Sequence, residues 1–82
     1  MNNIVYSKPG CGFSRAAVTL LREHRVDFEE KLVDDREERE RLKEEFECRT
    51  FPIVVLNGKY VGGYDDTRAL VDGGRLQEIL CL

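Results

Sequence analysis

The sequence has three cysteines, Cys11, Cys48 and Cys81, and no two of them stand at Cys-x-x-Cys spacing. That spacing is the usual signature of a structural zinc site, and the single histidine, His24, offers no His-x-x-x-His pair in its place. An odd cysteine count without a secretory leader argues against a disulfide framework and leaves free thiols. Positive charge is not in excess. Thirteen Lys and Arg against 16 Asp and Glu give a formal net charge of −3, so there is no basic footprint for nucleic acid. Long apolar runs are missing too: the longest, Pro52 to Leu56, is far too short to cross a bilayer. The opening residues 1–8 lack the charged and apolar regions of a signal peptide, so a cytoplasmic location with no membrane partner is expected. No repeat, low-complexity segment or linker divides the chain. What is present, 82 residues of which 41% are hydrophobic and 35% charged, fits one globular domain, 1–82, around a modest core.

Periodicity gives the order of elements. Residues 2–7 form a short apolar run ending in a turn, a buried first strand. Phe13, Ala16, Ala17, Leu20 and Leu21 recur at helical spacing, with Arg22, His24 and Arg25 favourably placed at the negative end of the helix dipole. Residues 27–33 read as a second strand of weaker signal. Residues 34–47 are nearly all charge: Asp34 and Glu37 match a capping box, and Asp35–Arg39 and Glu37–Arg41 are i, i+4 pairs. Only Leu42 and Phe46 mark an apolar edge there. Residues 52–63 hold two strand-like runs around Asn57-Gly58, a dipeptide suited to a type I′ hairpin turn. A third helix follows, with Asp65 or Asp66 as its N-cap and Gly73-Gly74 as its stop, then a short amphipathic helix through Leu76, Ile79 and Leu80. The expected fold is α/β, in the order β-α-β-α-β-β-α. A right-handed parallel crossover and a hairpin then build a mixed four-stranded sheet with helices on both faces.

Cys11 carries the clearest chemical signal. The thiolate is the nucleophile of disulfide exchange, and a helix N-terminus with nearby cations lowers a thiol pKa from roughly 8.5 to about 3.5–7.5. Cys11 stands just before the first turn of helix one, off the apolar stripe, with Lys8 three residues before it and Arg15 four after. Pro9 and Gly10 shape the turn that exposes the sulfur. His24 reads as a solvated helix end and Cys81 as an incidental surface thiol. Cys48 lies near the 50–52 loop, where it is a candidate to approach Cys11 as a resolving thiol.

Three short motifs sit at successive junctions: Cys11-Gly12-Phe13-Ser14 after strand one, Thr50-Phe51-Pro52 before strand three, and Gly62-Gly63-Tyr64-Asp65-Asp66 after strand four. Together, over essentially the whole chain, they make the sequence resemble the glutaredoxin family. The resemblance implies a thioredoxin-like fold, glutathione as cofactor, and a glutathione-dependent thiol–disulfide oxidoreductase with Cys11 as nucleophile. It also implies that Pro52 is cis and faces Cys11, leaving the backbone of Phe51 to pair with the cysteine of glutathione. Thr50, Phe51 and Pro52 then form one wall. Lys8, with Arg39 assisting, is implied at the glycine carboxylate and Phe13 beside Cys11. Gly63, Tyr64, Asp65 and Asp66 receive the γ-glutamyl end, its carboxylate on helix N–H groups and its ammonium on Asp65.

Ser14 stands where a dithiol member of the family has its second cysteine, and serine cannot resolve a mixed disulfide. It can hydrogen-bond to the Cys11 thiolate. The resemblance therefore implies a monothiol mechanism, acting as a monomer on glutathionylated proteins or small mixed disulfides. The alternative is a [2Fe–2S] carrier, as in the monothiol branch, with one Cys11 from each of two chains and two glutathiones. The close Lys8–Cys11 spacing and Tyr64 after Gly-Gly depart from that branch and resemble the small dithiol scaffold.

Overall fold

The computed structural model describes residues 2–81. The elements are β1 (Ile4–Ser7), α1 (Gly12–Glu23), β2 (Glu29–Leu32), α2 (Arg36–Glu45), β3 (Ile53–Leu56), β4 (Lys59–Gly62), α3 (Tyr64–Asp72) and α4 (Leu76–Leu80). They form one mixed sheet in the order β2-β1-β3-β4. β1 runs parallel to β2 and antiparallel to β3, and β3 pairs antiparallel with β4. The expected α/β, thioredoxin-like arrangement is present.

β3 shows why the sheet needs helices on both faces. All four of its residues are buried, and alternation sends them in two directions. Val54 and Leu56 join Val5, Ala17, Val18, Leu21 and Leu76 beneath α1 and α3. Ile53 and Val55 join Val33, Leu42 and Phe51 on the α2 side. Burying one such aliphatic side chain contributes about 1.5–3 kcal/mol, so the central strand is the chief apolar anchor of both layers. The hairpin turn is as the dipeptide predicts. Asn57 and Gly58 have φ of 53° and 78°, the left-handed pair that a type I′ turn requires.

Several local expectations shift. The α1 stripe is rotated: Ala17, Leu20 and Leu21 are buried, but so are Ser14 and Val18, whereas Phe13 is 62% exposed. Phe13 belongs to the first turn, which overhangs the end of the sheet. β2 is an edge strand with all four residues exposed; the burial comes from Val33, just past its end, whose N–H donates to Ser7 O at 2.8 Å. The cap of α2 is Asp35, which accepts from Glu38 N–H at 3.1 Å, and not Asp34 with Glu37. The ion pairs move accordingly: Arg41 meets Glu38 and Glu45, Lys43 meets Glu40, and Arg39 turns to Val33 O. The cap of α3 is Gly63, with Asp66 at the third helical position accepting from Gly63 N–H at 3.2 Å.

Gly62 is required at that junction. Its φ is 132°, and a Cβ there would strike the Asp66 carboxylate, with Asp66 Cγ 2.6 Å away. Gly62→Ala is expected to lower unfolding stability by about 1–3 kcal/mol, read as a reduced urea midpoint. A midpoint equal to wild type would show that the junction relaxes freely.

Candidate functional site

Motifs far apart in sequence converge on one cleft of about 490 Å³, within the size range of ligand sites. β1 ends at Ser7, and Lys8 to Gly10 turn the chain, with Gly10 at φ 77° and Cys11 N–H donating to Lys8 O at 3.1 Å. Cys11 is thereby the N-cap of α1, with extended backbone and a side chain free of any capping bond. The first turn of a helix leaves N–H groups without helical partners, and here those of Phe13 and Ser14 point at the sulfur.

The electrostatics follow from that placement. Partial burial by itself raises the Cys11 thiol. It is outweighed by the Ser14 N–H, the Ser14 hydroxyl, the Phe13 N–H and the charge of Lys8, so the net effect is below the ordinary thiol value. Ser14 is 1% exposed and is held in place, because its Oγ also accepts from Lys8 N–H at 3.1 Å. One hydroxyl ties the turn to the helix and keeps its proton for the sulfur. Across the cleft the Phe51–Pro52 peptide is cis, and Phe51 O lies 3.8 Å from Cys11 Sγ.

Of the residues expected at the site, Lys8, Cys11, Phe13, Thr50, Phe51, Pro52, Gly63, Tyr64, Asp65 and Asp66 all line this cleft. Gly12 and Ser14 sit behind Cys11 in α1. Arg39 is not in the lining; its guanidinium donates to Val33 O at 3.3 Å, at the far side of the β2 end. The Phe13 and Tyr64 rings, 6.1 Å apart, flank the sulfur as an aromatic rim. Asp66 is occupied by the cap of α3, which leaves Asp65 exposed in the first turn beside helix N–H groups.

Lys43, Cys48, Arg49 and Tyr60 also line the cleft. Lys43 is hidden in the highly charged 34–47 stretch and lies in the last turn of α2. Past the C-cap at Phe46, Glu47 takes a positive φ of 54° and turns the segment that carries Arg49 toward Phe51. Burial raises the Tyr60 phenol above its ordinary value. The adjacent Cys48 sulfur, through its charge and a hydrogen bond, and then Asp66 raise it further. Cations thus come from the β1–α1 turn and the end of α2, and carboxylates from α3.

A glutaredoxin family model matches residues 3–61. The chain belongs to the glutaredoxin family. It is similar to monothiol glutaredoxin-4 of Schizosaccharomyces pombe, 43% identical over 76 residues, covering 90% of this chain and 31% of that protein. It also matches a probable monothiol glutaredoxin 2 of Rickettsia conorii, 38% identical over 77 residues, covering 93% of this chain and 72% of that one. Among solved structures, a wheat glutaredoxin superposes with a TM-score of 0.87 at 34% identity, over 99% of this chain and 80% of that chain. The chain spans less than a third of the length of the S. pombe protein, and 22% of glutaredoxin 3 from Danio rerio. No helix among the described residues is long and apolar enough to cross a membrane.

The lowered thiol has a direct readout. The rate of Cys11 alkylation should reach half its maximum at a lower pH than for a free cysteine, since the thiolate persists to lower pH. Ser14→Ala removes the hydroxyl donor and should move that midpoint up, and Lys8→Ala should move it up by less. A larger shift for Lys8→Ala would mean that charge, not hydrogen bonding, holds the thiolate.

Proposed function

We propose that this chain is a glutathione-dependent thiol–disulfide oxidoreductase that works through a single catalytic thiol, Cys11. The observation that carries this is an N-cap cysteine, its pKa lowered by helix N–H groups, opening onto a cleft with a cation at one end and a helix N-terminus at the other. Glutathione matches that polarity. Its glycine carboxylate meets Lys8, its cysteine lies along the Phe51 backbone beside Cys11, and its γ-glutamyl carboxylate takes the free N–H groups of Tyr64 and Asp65. The α-ammonium meets Asp65. Thr50 and Pro52 form the wall between the two ends, and Phe13 and Tyr64 close the rim.

The Cys11 thiolate attacks the glutathione sulfur of a mixed disulfide, because that sulfur is the one the cleft positions. The substrate leaves as a thiolate and takes up a proton, and a second glutathione then attacks the Cys11 adduct, releasing oxidised glutathione. Ser14 keeps its bond to the Cys11 sulfur throughout and contributes no sulfur of its own. Glutathionylated proteins and small mixed disulfides are the substrate class.

The alternative on the same residues is a [2Fe–2S] carrier. Among the described residues no three His, Cys, Asp or Glu side chains are grouped to hold a metal. A cluster would take Cys11 from two chains and glutathione for its remaining ligands. An anaerobic preparation that is a brown dimer and loses colour on glutathione removal would favour that carrier role. A colourless, active monomer is the expected result.

Cys11→Ser should abolish turnover of a glutathione mixed disulfide, while Cys81→Ser, at an exposed thiol outside the cleft, should retain it. Hydrogen bonds to charged groups contribute roughly 1.5–3 kcal/mol, so Lys8→Ala and Asp65→Ala are each expected to raise KM about tenfold or more. A mixed disulfide lacking glutathione should show no such rise. Equal effects on both substrates would refute the glutathione assignment.

A further inference from the structure

Among the described residues Cys48 is the one other thiol lining the cleft, and the monothiol cycle gives it no task. It is a half-buried free thiol, packed at the edge of the α2-side core, and the Tyr60 hydroxyl is hydrogen-bonded to its sulfur. Lys43 and Arg49 flank it in sequence and line the same cleft, and Arg49 makes no ion pair among the described residues. Tyr60, Lys43 and Arg49 thus share the cleft wall with this sulfur.

We propose that Cys48 is the resolving thiol of this protein, taking the part that Ser14 cannot, from the opposite wall of the cleft. The proposal rests on the glutathione reading of Cys11. The two sulfurs share Phe51 as a neighbour. Phe51 O touches Cys11 Sγ at 3.8 Å, and Cys48 is three residues upstream of Phe51. A disulfide needs Cα atoms about 4.4–6.8 Å apart, and both cysteines line the one cleft, so closure calls for movement of the 48–50 segment toward Cys11. That segment is suited to it. Arg49 and Thr50 are exposed, lie outside helix and strand, and make no backbone–backbone hydrogen bond among the described residues. Cys48 itself is held by a bond from its N–H to Lys43 O at 2.9 Å, just past the C-cap of α2 at Phe46, and helix ends fray.

The step balances as a thiol–disulfide exchange. The Cys48 thiolate attacks Cys11 Sγ of the Cys11–glutathione disulfide. A Cys11–Cys48 bond forms, the Cys11–glutathione bond breaks, and glutathione leaves as a thiolate that takes the proton Cys48 gave up. Two further glutathiones restore both thiols and depart as oxidised glutathione. Cys11 remains the one thiol that attacks the substrate, and Cys48 adds a second route by which its glutathione adduct is released.

The test is exposure of the full chain and of Cys48→Ser to oxidised glutathione, then acid quenching, alkylation of free thiols and peptide mass mapping. Cys48→Ala serves as a second variant if serine perturbs folding, and Cys81→Ser removes the third thiol as a control. The expected result is a Cys11–Cys48 linked peptide in the full chain and a lasting Cys11–glutathione adduct in Cys48→Ser. The full chain should hold less than about a tenth of the variant's adduct, because a tethered thiol competes at an effective concentration in the millimolar range or above. A lasting Cys11 adduct in the full chain with Cys48 open to alkylation would overturn the proposal, as would glutathione attached to Cys48 itself or a Cys11–Cys81 link. If Cys48→Ser forms no adduct on Cys11, the glutathione reading has failed and this proposal with it. An adduct in the variant that is equally stable in the full chain leaves that reading standing and removes only Cys48.

Discussion

Everything at the site depends on the N-terminus of α1 facing a sulfur. The first-turn N–H groups of Phe13 and Ser14 have no carbonyl to receive them from within the helix, so they are directed at Cys11 at no cost to the helix itself. The remainder of the fold fixes this arrangement. Parallel pairing of β1 with β2 sends the chain out through α1 from the end of the central strands. The buried Ala17, Val18 and Leu21 face lock α1 over the sheet. Ser14 joins the two, one oxygen bonded to the Lys8 N–H of the turn while its hydroxyl lowers the thiol.

The second wall is built from the sheet's own central strand. Because β3 is buried on both faces, the residues that lead into it cannot wander, and Phe51 is 6% exposed at its entry. Cys11 and Phe51 are forty residues apart in the chain, yet the pairing of β1 with β3 makes them neighbours. The Gly62–Gly63 junction then delivers the first turn of α3 to the same end of the sheet. A helix start, a strand entry and a second helix start meet at one edge, each presenting backbone groups not used by the secondary structure.

The sequence made most of this legible through periodicity and punctuation. Asn57-Gly58 announced the hairpin, Gly73-Gly74 the stop of α3, and the apolar spacing of Ala17, Leu20 and Leu21 the body of α1. The three motifs named the cleft's residues because each sits at a junction, where residue type is dictated by backbone geometry. The details that differ concern a cap and which charged side chain faces the cleft. The cap of α2 falls on Asp35 because Asp34 and Asp35 are both competent N-caps and local sequence does not decide between adjacent aspartates. Arg39 bonds Val33 O while Lys43, on the same helix, lines the cleft. In a helix of nearly continuous charge, no pattern distinguishes the side chain that faces a ligand from those that face water. Ser14 reads as a missing sulfur, and the structure buries it at 1% exposure behind Cys11.

The central claim is that the cleft recognises both ends of one glutathione molecule around Cys11. The most direct measurement is titration of a Cys11→Ser protein with S-methyl glutathione, followed by backbone amide chemical shifts. The account predicts saturable shifts concentrated at Lys8, Phe51, Gly63, Tyr64 and Asp65, with much weaker binding when the γ-glutamyl group is removed from the ligand. Shifts scattered over the surface, or equal binding of the truncated ligand, would contradict it.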